Sequence, residues 1–340
     1  MRRSIAPLKL AGVLAGLVVL AGIVLYLVPS DDYILLPDAA HPVAPLVRVQ
    51  GEHPAKGPGA IYFVDVFERR ASLLESIFPF IRSGGTLVPA NEIVPPGSSD
   101  RQVRRTDLRE MTISQQVAAA VALRRLGYHV RATPSGVIVD TIERGSHAAG
   151  KLQPTDVIVS VDGRPTLTIA ALRRALAPVR PGGDVSIRLR RGNKTLTAQV
   201  QTIAEPVTGK TSRAIIGFLP DQAADIHLPI RVQIDAGNVG GPSAGLAFAL
   251  QVMEALGRKV DHGYRVAATG TISLDGSVGE IGGVKQKTFG AREAHADVFL
   301  VPAAGDNAGQ ARRYAHGLRI IPVKSFPQAL RALATLPPKR

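Results

Sequence analysis

The sequence predicts an α+β protein: an N-terminal transmembrane helix ahead of two mixed modules. Three observations carry this. The run Leu10 to Val28 has no charged residue, and as a helix rising about 1.5 Å per residue it covers about 28 Å, enough to cross a bilayer core. From Ser135 to Val200 short apolar strands and turn residues surround one short helical stretch, the pattern of a small β-barrel-like module. After Leu228, apolar helices alternate with strands. Two glycine-rich loops, Gly237-Asn238-Val239-Gly240-Gly241-Pro242-Ser243-Ala244-Gly245 and Ile281-Gly282-Gly283-Val284-Lys285-Gln286-Lys287, each open a helix there.

Arg2, Arg3 and Lys9 precede the apolar run and Asp31 and Asp32 follow it. Positive residues stay on the cytoplasmic side, which predicts a single-pass cell-membrane protein whose remaining chain is extracytoplasmic. A cleaved signal peptide is the competitor. Its apolar core spans about 7–15 residues before a small-x-small site, and Leu27-Val28-Pro29-Ser30 offers no such site, so an uncleaved signal anchor is favoured. The chain has no cysteine, which excludes a thiol nucleophile, a Cys-ligated zinc or an iron–sulfur cluster. Stability must come from the core, and 45% hydrophobic residues over 340 allow two or three domains. The net charge of +14 is scattered, without an aromatic-interleaved basic patch and without Trp, so no nucleic-acid partner is read; anionic lipid or wall polymer fits it more simply. The eight histidines show no His-Glu-x-x-His spacing, so no metal and no cofactor is assigned.

Between the anchor and the first module, Pro37 to Pro58 is proline-rich and expected to extend over the surface. Gly59 to Val66 alternates like a strand, Ser72 to Ile81 reads as helical, and Ile93 to Arg105 as a mobile polar segment. Ser114 is expected to cap a helix, Gln115 to Leu126, stopped by Gly127.

Ser243 heads the apolar stretch Leu246 to Leu256. A serine there is often only an N-cap worth about 1 kcal/mol. The second loop supplies what a nucleophile needs, since a lysine with a depressed pKa can take a serine proton. Lys285 and Lys287 are two apart, so on a helix they point to nearly opposite sides and only one faces the serine. Gly241-Pro242-Ser243-Ala244-Gly245 also fits the nucleophile elbow of a Ser-His-Asp esterase of the α/β-hydrolase type, with Asp297 or Asp306 and His316 downstream. That elbow joins a strand directly to a helix, whereas here the long loop Asp235 to Pro242 separates Ser243 from the apolar strand expected over Leu228 to Ile234. Pro242 has no N–H, so the oxyanion donors would be the backbone of Gly240, Gly241 and Ser243.

From Gly217 to Leu330 these motifs resemble the proteolytic domain of the Lon serine protease family (S16 type), with its Gly-Pro-Ser-Ala-Gly and Gly-Gly-x-Lys-x-Lys signatures. The resemblance implies a Ser243–Lys287 catalytic dyad, with Lys285 a solvated neighbour and Thr269, in Ala268-Thr269-Gly270-Thr271-Ile272, orienting the lysine. The sequence departs from the family at Gly240, often Asp, and at Thr271, commonly Glu. Gly127 to about Thr202 resembles a PDZ domain of the bacterial protease type. Ser135 to Ile142, Ser146-His147-Ala148-Ala149-Gly150 and Leu152 to Gly163 carry the resemblance, with Thr155-Asp156 where Gly-Asp is usual. It implies capture of peptide C-termini by a carboxylate loop at Leu126, Gly127, Tyr128 and His129, with Ile169 to Leu176 as the other wall.

The order resembles membrane-anchored, PDZ-containing Lon-like proteases. It implies residues 1–30 as cytoplasmic tip and signal anchor, 114–205 as the PDZ domain with its preceding helix, and 206–340 as the Lon-type proteolytic domain. Residues 31–113 are read as linker and a strand–helix segment; whether they start the protease domain, making the PDZ domain an insertion, stays open. No Gly-x-x-x-x-Gly-Lys-Ser/Thr occurs. The expected activity is ATP-independent cleavage of unfolded or flexible proteins, membrane proteins among them, by a homo-oligomer that the resemblance implies to be hexameric. A catalytically inactive PDZ-bearing adaptor is the alternative.

Overall fold

The computed structural model describes residues 6–53, 57–94, 99–205, 213–337 and 339; Arg2, Arg3 and the start of the Lon-type segment at 206–212 lie outside the described residues. Ala6–Leu27 is one helix. Its window Leu10–Leu27 has a mean hydropathy of 2.6 and none of it is buried, which makes it long and apolar enough to cross a membrane. The chain leaves it at Pro29 directly into the strand Pro29–Pro37, central in an antiparallel sheet between Val66–Ser72 and Thr86–Pro89.

The main core is built on a sheet in the order His41–Pro42, Ala60–Phe63, Arg265–Ala268, Val298–Pro302, Arg319–Val323, parallel apart from its short first strand. Parallel strands covered on both faces read as unbroken apolar runs, as Val298–Val301 does. The period-2 geometry splits that run. Val298 and Leu300 face the helix Gly245–Ala255, with its fully buried Leu246, Phe248 and Leu250. Phe299 and Val301 face the helices Val284–Glu293 and Asn307–Tyr314, through Val284, Ala291 and Ala311. Because Ala60–Phe63 pairs with Arg265–Ala268 at the centre, everything between them is a long excursion from one sheet.

That excursion carries a second sheet, ordered Lys194–Gln201, Asp184–Arg191, Val157–Val161, Arg131–Ile142, Phe218–His227, packed on the helix Ile169–Leu176. Buried Asp156 is held by the Arg191 guanidinium through two bonds of 2.7 Å. Thr155, in the position where glycine is usual, sits at φ 68°, a backbone conformation that favours glycine.

Five expectations are corrected. The Pro37–Pro58 segment is not draped over the surface: Val43, Val47 and Val49 are buried in the main core, and Val47–Val49 pairs with Val232–Ile234. Apolar alternation outweighs proline content there. The segment expected to be mobile instead begins a helix at Asp100, which runs to Arg125 and is capped by Ser99 and Gln102 in a reciprocal capping box. Ser114 is therefore mid-helix and buried, not a cap. This long helix packs mainly on Gly245–Ala255 in the main core, through Met111, Ala118, Val121 and Ala122, while its Ala120 and Leu123 meet Ile226 at the edge of the second sheet. The strand expected over Leu228–Ile234 is shorter, Val232–Ile234.

Candidate active site

Ser243 lies on the loop between Val232–Ile234 and Gly245–Ala255; Lys287 lies in the first turn of Val284–Glu293. That helix starts at Gly283, whose φ of 67° and whose tight fit against the Val66 side chain both require glycine. The Lys287 Nζ is 2.6 Å from Ser243 Oγ and 3.4 Å from Thr269 Oγ1. Thr269 in turn donates to the Ser243 carbonyl at 3.2 Å, and Gly270 N–H donates to the same oxygen at 2.8 Å. Thr269, fully buried, thus bridges the lysine and the backbone of the serine.

Lys287 is buried, and burial, which disfavours the ammonium, pushes its pKa down to about 8. The Asp65 carboxylate acts in the opposite, raising direction. Asp65 is itself raised, by burial first and then by Asp38, while His41 and Lys287 lower it. His41 Nε2 stands 3.5 Å from Asp65 and 3.8 Å from Asp38. These three residues could offer ligand atoms to a cation, all within 4.8 Å of one another. A histidine shared by two carboxylates accounts for the arrangement without one.

Lys285 departs from its expected solvated role. Its Nζ donates to Gly85 O at 2.8 Å and to Thr86 Oγ1, and neighbouring Gln286 bonds Leu35 O, Gly84 O and Thr86. The outer side of the helix grips the 84–86 turn while the inner side presents Lys287.

The long helix Asp100–Arg125 lies across the serine loop. Arg104 bonds the Asn238 carbonyl, Gly241 N–H donates to Asp107 O at 2.8 Å, and Ser114 Oγ donates to Pro242 O at 2.9 Å. Of the three expected oxyanion donors, Gly241 is thus already engaged, while the N–H groups of Gly240 and Ser243 have no partner among the described residues. A side chain at Gly240 would begin 2.7 Å from the Asp107 Cβ. The carboxylate that the resembled family often carries at this position has no room, and Asp107 brings one to the groove from the helix instead. The Ser114 bond has a geometric consequence. Pro242 C=O and Ser243 N–H belong to one trans peptide plane and point in opposite directions, so anchoring the carbonyl on the helix turns the N–H away from it. Ser114→Ala is expected to lower kcat by about tenfold to a hundredfold with little change in KM, and Ser114→Thr to restore most of it. Steady-state kinetics on a peptide substrate checks this; an unchanged kcat in the alanine variant would remove Ser114 from the account.

A groove of about 890 Å³ opens onto Ser243 and Lys287. Consecutive residues Asp65–Arg70 form one wall, Asp100, Val103, Arg104 and Asp107 the other, and Asn238–Gly241 the floor. Among the described residues the wall strand Val66–Ser72 is an edge strand, paired with Pro29–Pro37. Asp297, a triad candidate for the esterase reading, is committed to Arg265 N–H and Lys339, away from the groove.

At the other module, the expected carboxylate loop is the C-terminal cap of the long helix. Gly127 takes φ 88°, Leu126 N–H bonds Ala122 O, Gly127 N–H bonds Arg124 O and Tyr128 N–H bonds Leu123 O. These donors are spent on the helix; of the four expected residues, His129 is the one whose N–H has no partner among the described residues. The strand Arg131–Ile142 is paired along its length with Phe218–His227, whose Gln222 side chain bonds Gly136 O and Leu167 O and accepts from Ile169 N–H. The edge expected to face the helix Ile169–Leu176 is thus covered by the chain's own strand.

Residues 207–335 match the Lon protease (S16) C-terminal proteolytic domain, and residues 124–202 match the PDZ domain. The archaeal Lon protease of Halobacterium salinarum is 25% identical over 85% of this chain and 39% of its own length. Lon protease 1 of Sorangium cellulosum is 33% identical over 36% of this chain and 16% of its own. Lon protease 2 of Bacillus subtilis is 36% identical over 34% of this chain and 20% of its own. The chain thus spans between 16 and 39% of the length of these relatives. Among solved structures, the PDZ domain of an SdrC-like protein from Listeria monocytogenes is 23% identical, covering 26% of this chain and 92% of that one at a TM-score of 0.24. That of the Listeria innocua protein is 27% identical, covering 25% and 92% at 0.23. Behind one N-terminal apolar helix, this mixed α/β chain therefore carries a PDZ domain and a Lon-type (S16) serine peptidase domain.

Proposed function

We propose that the protein is a membrane-anchored serine endopeptidase that cleaves unfolded or flexible chains without ATP. The 2.6 Å contact between Ser243 Oγ and a buried Lys287 is the observation that carries this reading. Neutral Lys287 takes the Ser243 proton as Oγ bonds to the substrate carbonyl carbon. The Ser243 and Gly240 N–H groups stabilise the oxyanion. The Lys287 ammonium then returns its proton to the departing amine, leaving an ester on Ser243. Water, deprotonated by the same lysine, releases the acid and restores the serine. Thr269 holds the lysine and the serine backbone in register.

The edge strand Val66–Ser72 supports binding of an extended substrate as an added strand, which demands a flexible chain. The sequence contains no P-loop to drive unfolding. With Arg2, Arg3 and Lys9 inside, the groove lies outside the cytoplasm. The PDZ domain contributes peptide binding, and its sheet ends at Lys194–Gln201 on one side and, with the added strand, at Phe218–His227 on the other.

The purified full-length protein is expected to hydrolyse unstructured casein in EDTA without nucleotide. A strict requirement for ATP would overturn the motor-free part of this reading, and no hydrolysis under either condition would favour a peptide-binding adaptor.

A further inference from the structure

The segment Ile77-Phe78-Pro79-Phe80-Ile81-Arg82 inverts the usual pattern of a water-facing surface. Ile77, Phe78, Phe80 and Ile81 are 55, 41, 80 and 44% exposed. The inside of the same turn holds a charge: Glu75 is fully buried, clasped by Arg69 at 2.6 Å and Arg82 at 2.7 Å. The short helix Leu73–Ile77 is capped by Ser72 and Glu75 in a reciprocal box, and a single 3-10 turn, Pro79–Ile81, follows it. Phe78 and Phe80 meet edge to face with centroids 5.9 Å apart. The apolar side chains are therefore held outward by a rigid turn. A contiguous exposed apolar patch of this kind marks a contact surface.

Its position says what covers it. Arg82 Nη2 bonds Tyr26 Oη at 3.3 Å, and Leu73 N–H donates to Val28 O at 2.9 Å. Pro29 pairs with Ser72, and Ser30 Oγ bonds Ala71 O at 3.1 Å. The patch thus sits at the outer end of the apolar helix, at the level of Tyr26, where aromatic side chains mark the boundary between hydrocarbon and headgroups.

We propose that Ile77–Ile81 is a second membrane-contacting element, seated in the outer-leaflet interface beside the apolar helix, with Arg69 and Arg82 at the level of the lipid phosphates. This rests on reading Leu10–Leu27 as a membrane span. An interfacial element of this kind enters about 5–10 Å into the headgroup–acyl boundary. It also gives the groove a fixed place, because the groove wall Val66–Ser72 runs straight into the helix that presents the patch. The substrate class that follows is chain segments that emerge from, or lie along, the outer leaflet.

The absence of native cysteine makes the test direct. Full-length Leu17→Cys, Phe80→Cys and Leu167→Cys variants, each carrying an environment-sensitive nitrobenzoxadiazole label, are reconstituted into phosphatidylcholine–phosphatidylglycerol vesicles containing spin-labelled lipid. The Leu17 label is expected to be quenched, which tests the span alone, and the Leu167 label on the PDZ domain to be unaffected. The Phe80 label should be quenched most by a spin label placed near the headgroups. A quenched Leu17 label with Phe80 behaving like Leu167 overturns the proposal and leaves the span intact. An unquenched Leu17 label overturns both. Phe80 emission that depends on protein density but not on spin-labelled lipid assigns the patch to a second copy, which also overturns it. As a second readout, Phe78→Ser/Phe80→Ser should cleave a membrane-tethered peptide about tenfold more slowly and soluble casein at the parent rate, since the span still holds the protein at the membrane and only the fixed placement of the groove against it is lost. Equal rates on the tethered peptide would contradict the proposal.

Discussion

Lys287→Arg and Lys287→Met are expected to reduce peptide hydrolysis by about 10²–10⁴-fold, the contribution of a positioned general base. The guanidinium cannot surrender its proton at any working pH, and the thioether cannot accept one. The two variants should separate in stability. In the folded protein Lys287 titrates near 8, below its ordinary value, because it is buried. Between the folded and unfolded pKa values the unfolded chain binds more protons, so this group makes stability rise with pH across that window. Below about 8 the buried ammonium exerts its full destabilising effect. Lys287→Met removes that effect and is expected to melt no lower than the parent at pH 7; Lys287→Arg buries a larger cation and is expected to melt lower. Thermal unfolding beside a casein assay checks both. Turnover near the parent rate in either variant would show that another group takes the proton. Lys285→Ala should retain activity, weakened only as far as the 84–86 turn loosens.

Ser243→Ala is expected to reduce hydrolysis to background and abolish labelling by a fluorophosphonate, because it deletes the atom that bonds to substrate. The fold should survive. Ser243 is only half-buried, and the bonds that shape its loop, from Gly270 N–H and Thr269 to its carbonyl, involve backbone oxygen that alanine keeps. Loss of near-ultraviolet circular dichroism in this variant would mean that its inactivity says nothing about the nucleophile. Retained cleavage with an intact fold would move the chemistry to another serine.

Much of this site was legible in the sequence, and the parts that were not share a physical cause. The two glycine loops are local: each sets its own helix start, and 3.6 residues per turn separates Lys285 from Lys287 onto opposite sides. Their separation in the chain, to Gly85 O on one side and Ser243 Oγ on the other, follows from that spacing. The contribution of the long helix is not local. Ser114, Asp107 and Arg104 reach the serine loop across more than a hundred residues, and each is of a type common on any helix. Ser114 looks like a cap because a serine before an apolar stretch is a start signal, while the true start, Ser99 with Gln102, lies in a polar stretch without apolar period. Gly127 was visible as a turn, but a glycine closing a helix and a glycine opening a carboxylate loop look alike until hydrogen bonds are counted. The swap of strands between the two matched segments, Phe218–His227 against Arg131–Ile142, is likewise a long-range pairing that no local pattern encodes.

The central claim, that a buried neutral lysine activates Ser243, is tested most directly by the rate of fluorophosphonate labelling as a function of pH, with the modified residue identified by peptide mass spectrometry. The labelled residue should be Ser243 alone, and the rate constant should climb with pH through a single inflection near 8 and level off above it, as Lys287 loses its proton. A rate that is flat across pH 6–10, or an inflection that persists unchanged in Lys287→Met, would contradict the account.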